Sequence, residues 1–201
     1  MTNFLPKEFY EKYDTVTLSK KLLGCTMVHE SPEGRTSGII VETEAYLSND
    51  PACHAYRKKS ARNAAMFEGA GISYVYLIYG MYHCFNIVSG DKGVGEAVLV
   101  RALEPVEGIE LMQKRRNTTQ LKNLCSGPAK LVKAMGITPE FNFLPVYEDE
   151  FYCIPPKDEN FEIVTTTRIG ITQGADLLYR FYIKGNKFVS KLEKNQGVLF
   201  A

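Results

Sequence analysis

The stretch that most constrains this chain is Ile39-Ile40-Val41-Glu42-Thr43-Glu44-Ala45-Tyr46. Its β-branched start reads as a strand, and in a strand alternate side chains share a face. Glu42 and Glu44 then point one way, followed by Tyr46 if the strand continues, and Thr43 points the other. An ionised carboxylate is costly to bury without partners. Two of them leaving an apolar strand are either solvent-facing or Arg-paired on an edge strand, or they belong to a site that uses them. A carboxylate beside an aromatic surface suits hydrolysis at a sugar carbon, because it can deprotonate a water and its charge favours an oxocarbenium-like transition state. That chemistry covers glycoside hydrolases, which use two carboxylates, and equally the removal of a base from a nucleoside.

A second feature bears on that choice. Ser73 to Ile78 and Tyr82 to Val88 are rich in aromatic and β-branched residues and flank Tyr79-Gly80-Met81, the pattern of a β-hairpin. Aromatic residues in strands usually pack in a core. A tyrosine beside the turn glycine is harder to bury, and a ring held out there can wedge into a base stack while neighbouring rings hold an extruded base.

The remaining chain reads as α+β: a mixed, largely antiparallel sheet with helices around it. Pro6 to Leu23 is an opening helical region that Gly24 stops. Cys25 to Glu30 and Gly38 to Tyr46 form a hairpin through Ser31-Pro32-Glu33-Gly34. Leu47 to Met66 reads as a loop with short helices and Glu96 to Ala102 as a strand. Helices are predicted at Pro105 to Arg116, with Pro105 at the start, and at Gly127 to Met135. Phe141 to Pro156 reads as irregular, and Phe161 to Ile171 and Leu178 to Lys184 as late strands. With 201 residues and no repeat or linker, one domain over residues 1–201 is expected.

Composition narrows the class without deciding it. A net charge of +1 neither supports nor excludes nucleic acid. The basic clusters are Lys20-Lys21, Arg57-Lys58-Lys59 with Arg62, and Lys114-Arg115-Arg116. The five cysteines lack any C-x-x-C pair, which points to buried thiols in a reducing compartment; Cys53-His54 and His83-Cys84 fit no structural zinc pattern. No apolar run approaches a membrane span, and the first residues resemble neither a signal nor a transit peptide. A cytoplasmic, nucleoid-associated protein is expected in a bacterium and a nuclear one in a eukaryote.

Several motifs in order carry a resemblance. They are Ile40 to Tyr46, Asp50-Pro51-Ala52-Cys53-His54-Ala55, Arg62-Asn63 with Met66-Phe67, Tyr74 to Tyr82 with Asn86, Val98 to Pro105, and Ser126-Gly127-Pro128-Ala129-Lys130-Leu131. The chain resembles the alkyladenine (3-methyladenine, N-methylpurine) DNA glycosylase family of the mammalian type, from about Leu18 to Arg180-Phe181-Tyr182. The resemblance implies a curved sheet with a protruding DNA-inserting hairpin. It also implies a repair hydrolase that flips damaged purines, alkylated or deaminated, from double-stranded DNA and leaves an abasic site.

It assigns roles as well. Glu44 matches the general base. Arg101 matches a residue holding the attacking water and the flipped nucleotide, and Ile169, in Arg168-Ile169-Gly170, matches a position whose backbone carbonyl also grips that water. Tyr46, His54 and Tyr76 match the walls of the base pocket, and Asn86 the residue that rejects guanine. Tyr79 matches the wedge, with Met81 and Tyr82 along the minor groove, and Arg62 and Lys130 match phosphate contacts. No lysine takes a nucleophile position, so a monofunctional enzyme is implied, with no metal or organic cofactor and a monomer sufficing. Ala55-Tyr56-Arg57-Lys58-Lys59-Ser60-Ala61 departs from the family's Gly- and Thr-containing pattern. A glycoside hydrolase using Glu42 and Glu44, and a catalytically idle damaged-DNA binder, are the competing readings.

Overall fold

The computed structural model describes residues 4–148 and 150–191. Strands pair in the order β3-β4-β5-β2-β1-β7-β6, with β8 and β9 branching from β2, and the sheet curls into a half-barrel. The strands are β1 (Thr26–Ser31), β2 (Gly34–Tyr46), β3 (Ser73–Ile78), β4 (Tyr82–Val88), β5 (Ala97–Glu107), β6 (Tyr147–Glu148), β7 (Phe151–Ile154), β8 (Ile163–Thr166) and β9 (Arg180–Ile183). All their pairings are antiparallel. The helices are α1 (Lys7–Glu11), α2 (Thr15–Lys21), α3 (Ile109–Arg116) and α4 (Pro128–Met135).

The branch explains how one strand serves two environments. The first half of β2 lies between β1 and β5, while Glu42, Thr43 and Glu44 lie between β5 and β9. β2 is therefore central, and Glu42 and Glu44 have a neighbouring strand on both sides. The main core gathers on one face of the sheet. Val75 of β3, Phe85 and Ile87 of β4, Val98 and Val100 of β5, and Phe181 of β9 pack there with Leu18, Met112, Leu131 and Met135 of the helices. Thr43, pointing the same way, donates from its hydroxyl to the Ser19 carbonyl of α2 at 2.8 Å, which satisfies a buried polar group.

Some predicted elements end elsewhere, for local reasons. The opening helical region is two helices, because Asp14 breaks the run and caps α2 by accepting from the Thr17 amide at 2.8 Å. Pro105 does not start a helix: β5 runs on to Glu107 with Pro105 opposite Gly38, and α3 begins only after Gly108. Phe141 to Pro156 is not wholly irregular, since β6 and β7 extend the sheet beyond β1. Conversely, Thr167 to Ile171 is loop rather than strand, and that loop reaches the site.

Gly108 sits at φ 69°, and a Cβ there would lie 2.3 Å from the Arg35 carbonyl oxygen. Gly108→Ala is expected to destabilise the fold by about 1–3 kcal/mol or more through positive-φ strain and this backbone clash, read as a lower urea midpoint with an unchanged slope.

Candidate active site

One row of register crosses five strands on the face opposite the core: Tyr74 pairs with Asn86, Asn86 with Leu99, Leu99 with Glu44, and Glu44 with Arg180. The period of two thus sends Glu44 to the site face and Thr43 to the core. Between β2 and β5 the register shifts at three places, two of them flanking Glu42. Glu42 faces Ala102 and Thr43 faces Val100, so Arg101 has no residue opposite it. An irregularity of this kind re-aims a side chain, and the Arg101 guanidinium reaches both glutamates, Nη1 lying 3.2 Å from Glu44 Oε1 and Nε 3.4 Å from Glu42 Oε1.

Glu44 is fully buried. Its Oε1 accepts from the Ile169 amide at 2.9 Å and its Oε2 from the Tyr46 hydroxyl at 2.8 Å. Glu42, equally buried, is otherwise engaged: it accepts from Arg180 Nη1 at 2.9 Å and from the Ser190 amide at 2.7 Å. Burial opposes the charge of Arg101, but Glu44 and then Glu42 outweigh it and raise its pKa, so the cation is fixed between them.

Above this array lies a cavity of about 460 Å³. Tyr46, Arg101 and Ile169, the three partners of Glu44, all line it, together with His54, Tyr76 and Asn86. Among the described residues no carboxylate lines it; Glu44 lies behind that wall, held by three of its residues. Tyr74 and Tyr76 stack with centroids 5.2 Å apart. His54 meets Tyr76 edge-on at 4.6 Å, with Nδ1 2.9 Å from the Tyr74 hydroxyl, and is otherwise open to the cavity. Partial burial, and then the charge of Arg62, lower the pKa of His54. Burial raises those of Tyr46 and Tyr76, so both phenols stay neutral hydrogen-bond donors. Asn86 donates from Nδ2 to the Tyr74 carbonyl at 2.9 Å, which fixes its amide in the cavity wall.

The hairpin of β3 and β4 lies at the cavity's rim. Ile78, Tyr79 and Tyr82 line its mouth, yet Tyr79 is 80% exposed and Met81 67%. Tyr79 and Gly80 have φ 53° and 71°, and Met81 N–H donates to the Ile78 carbonyl, a tight turn with two positive-φ centres. A tyrosine at positive φ is uncommon and costs energy, so this ring is held outward against the backbone's preference. Arg62 is exposed, donates to the Leu77 carbonyl at 3.2 Å and lies over the Tyr76 ring. Lys130, in the first turn of α4, is half-buried and has no charge partner among the described residues.

The basic clusters divide. Arg115 is bound to Glu33 at 2.8 Å, and Arg116 donates to the Leu124 carbonyl at 3.2 Å, so both fasten the fold. Arg57 and Lys58 stay exposed in the loop that follows His54. All five cysteines are buried; among them burial pushes Cys53 up to about 11 and Cys153 up to about 12, leaving protonated thiols. Cys84, rather than Cys53, lines the cavity.

Sequence reasoning passed over four contributors. Tyr74 anchors His54, Arg180 neutralises Glu42, and Asp50 pairs with Arg168. The first three stand inside the motifs quoted above, and Arg168 was noted only as the neighbour of Ile169. The contact from Ile169 to Glu44 is made by its N–H.

A family model described as methylpurine-DNA glycosylase (MPG) matches residues 8–187. A protein of the archaeon Methanoculleus marisnigri, named "Putative 3-methyladenine DNA glycosylase", is 52% identical over 93% of this chain and 98% of its own length. Proteins with the same name from Francisella tularensis and Clostridium acetobutylicum are 49% and 48% identical, over 88% and 95% of this chain and 94% and 99% of theirs. The chain belongs to the methylpurine-DNA glycosylase family and is a DNA-repair glycosylase. These relatives are archaeal and bacterial rather than mammalian.

His54 is expected to titrate below its ordinary value of about 6.5, read from imidazole shifts in NMR spectra. A depressed histidine pKa means that its contribution to stability is complete above the unfolded value and is lost as pH falls through that value towards the folded one. His54→Gln should therefore flatten the loss of stability on acidification below about pH 6.5.

Proposed function

We propose that the chain hydrolyses the N-glycosidic bond of damaged purines extruded from double-stranded DNA, with Glu44 as general base. The observation that carries this reading is Glu44 itself: buried, with both oxygens oriented by Tyr46 and Ile169 and its charge balanced by Arg101, all three of which line the cavity. A water between Glu44 and C1′ of the deoxyribose gives its proton to the carboxylate as its oxygen bonds to C1′, and the base departs with the glycosidic electron pair. The negative charge beneath the sugar favours the oxocarbenium-like transition state.

The cavity is of a size for one base. Tyr76 and Tyr46 supply aromatic faces, which attract an electron-poor alkylated purine. His54, neutral at pH 7, is a hydrogen-bonding wall. Asn86, its amide tied to Tyr74, cannot swing away, so a purine bearing a C2 amino group meets a fixed side chain. Tyr79 fills the gap left in the duplex while Met81 and Tyr82 follow the minor groove. Arg62 and Lys130 contact phosphates. Bases alkylated at N3 or N7 carry positive charge and leave readily. Hypoxanthine and etheno-adenine need more help from the pocket.

The glycoside-hydrolase reading loses its second carboxylate, because Glu42 is spent on Arg180, Arg101 and the Ser190 amide outside the cavity. A catalytically idle damage binder is separated by experiment. Duplexes carrying one hypoxanthine, etheno-adenine or alkylated purine are to be incubated with the protein in chelator and the abasic product revealed by alkali. Glu44→Gln is expected to slow release about 10²–10⁴-fold while still binding the duplex. If wild type releases none of the three bases, catalysis is excluded. Tyr79→Gly should leave the fold intact or gain up to about 1 kcal/mol by relieving the positive-φ strain, yet lose binding to a damaged duplex; retained binding removes the wedge from the mechanism.

A further inference from the structure

Arg168 and Asp50 form a fully buried ion pair that the reaction, as written, does not use. Both side chains have no exposed surface, and the two guanidinium nitrogens Nη1 and Nη2 each meet a carboxylate oxygen, a two-point contact. Nη1 also donates to the Ala45 carbonyl at 3.0 Å, and Nη2 to the Gly174 carbonyl at 3.3 Å. The guanidinium lies over the Tyr46 ring, 4.7 Å from its centroid. Its attachments therefore fall on the two residues after Glu44 and on a second loop, and Arg168 itself is the residue before Ile169.

Those are the places from which Glu44 is held. Oε2 accepts from Tyr46, whose ring lies under the guanidinium, and Oε1 accepts from the amide that follows Arg168. Breaking a buried pair is strongly destabilising, but apolar residues of similar volume would stabilise a fold as well, so the pair is poorly explained as a fastening alone. An Arg fork fixes direction, which an apolar contact does not. Gly174 is tied to the same device: at φ 57°, a Cβ there would lie 2.9 Å from Asp50 Oδ1.

We infer that Arg168, oriented by Asp50, is a positioning residue for Glu44: it sets two of the three groups that hold the carboxylate, the Tyr46 hydroxyl and the Ile169 amide, and touches neither base nor water itself. This deepens the reading of Glu44 as general base and rests on it. Arg168 carries a charge close to Glu44 without being drawn into its ion pair, because Asp50 holds it; a neutral Asp50 frees that cation to pull Tyr46 and the 168–174 loop out of register.

The test uses Asp50→Asn, which keeps the size and one acceptor, Arg168→Lys, which keeps the charge but not the fork, and the double variant. Single-turnover base release is to be measured well below each variant's melting midpoint, beside the Kd for a duplex with an uncleavable abasic-site analogue. Hydrogen exchange of the Ile169 amide is to be followed by NMR. Each single variant is expected to slow release about 10–100-fold with Kd unchanged. Both should lose protection at Ile169 while core amides such as Val100 keep theirs, and the double variant should be no slower than the slower single, as for residues acting as a unit. Release at the wild-type rate by folded Asp50→Asn, or loss of protection at Ile169 only together with the core, overturns the inference. If wild type releases no base, the function fails, yet exchange at Ile169 still decides whether the pair orients Glu44's donors.

Discussion

Everything about this site follows from placing one carboxylate in the interior of the sheet. Glu44 is buried on a central strand, an arrangement that is unfavourable unless donors and a counter-charge are supplied. The fold supplies them from three directions: Arg101 from the next strand, Tyr46 from two residues along the same strand, and Ile169 from a distant loop. The solution extends outward. Among the described residues the buried carboxylates Glu42, Glu44 and Asp50 are matched by the buried arginines Arg101, Arg168 and Arg180. The array is neutral as a whole, while each member's direction is fixed by geometry.

The sheet divides labour between its faces. The register that stacks Val75, Phe85, Val98 and Val100 into the core also sends Tyr74, Asn86, Leu99 and Glu44 to the other side. Packing on one face therefore holds the cavity-side row on the other, and a one-residue slip would exchange them. The exception is Arg101, whose place comes from the register shifts. At the rim, the hairpin turn keeps Tyr79 exposed in a backbone conformation that a tyrosine does not favour, the kind of local strain found where a residue must act on something outside the protein.

Much of this was legible in the chain. The alternation in Val41 to Tyr46 gave the faces of Glu42, Thr43, Glu44 and Tyr46 correctly, because a strand's period depends on nothing distant. The hairpin's bounds were readable for the same reason, since β-branched and aromatic runs around a glycine are local signals. Where the expectation failed, a remote partner had intervened. Pro105 favours a helix start, but pairing with Gly38 holds it in β5. Phe141 to Pro156 shows little periodicity, yet β1 offers an edge that recruits β7. The cluster Lys114-Arg115-Arg116 is uniformly basic in sequence, but Glu33 and the Leu124 carbonyl claim two of its three charges.

The sequence by itself determined which residues are able to do the chemistry: a carboxylate on a strand, rings on a hairpin, and the ordered motifs that tie both to one family. Strand period and turn chemistry are properties of neighbours, so they survive without a fold. The resemblance already singled out Glu44, but only the tertiary structure shows what physically separates it from Glu42. Two positions apart in sequence and on the same face, they are told apart by residues more than a hundred positions away: Arg180 and Ser190 take Glu42, while Ile169, which lines the cavity, takes Glu44. A charge's role is set by its surroundings in space, and those surroundings come into being only when the chain closes on itself.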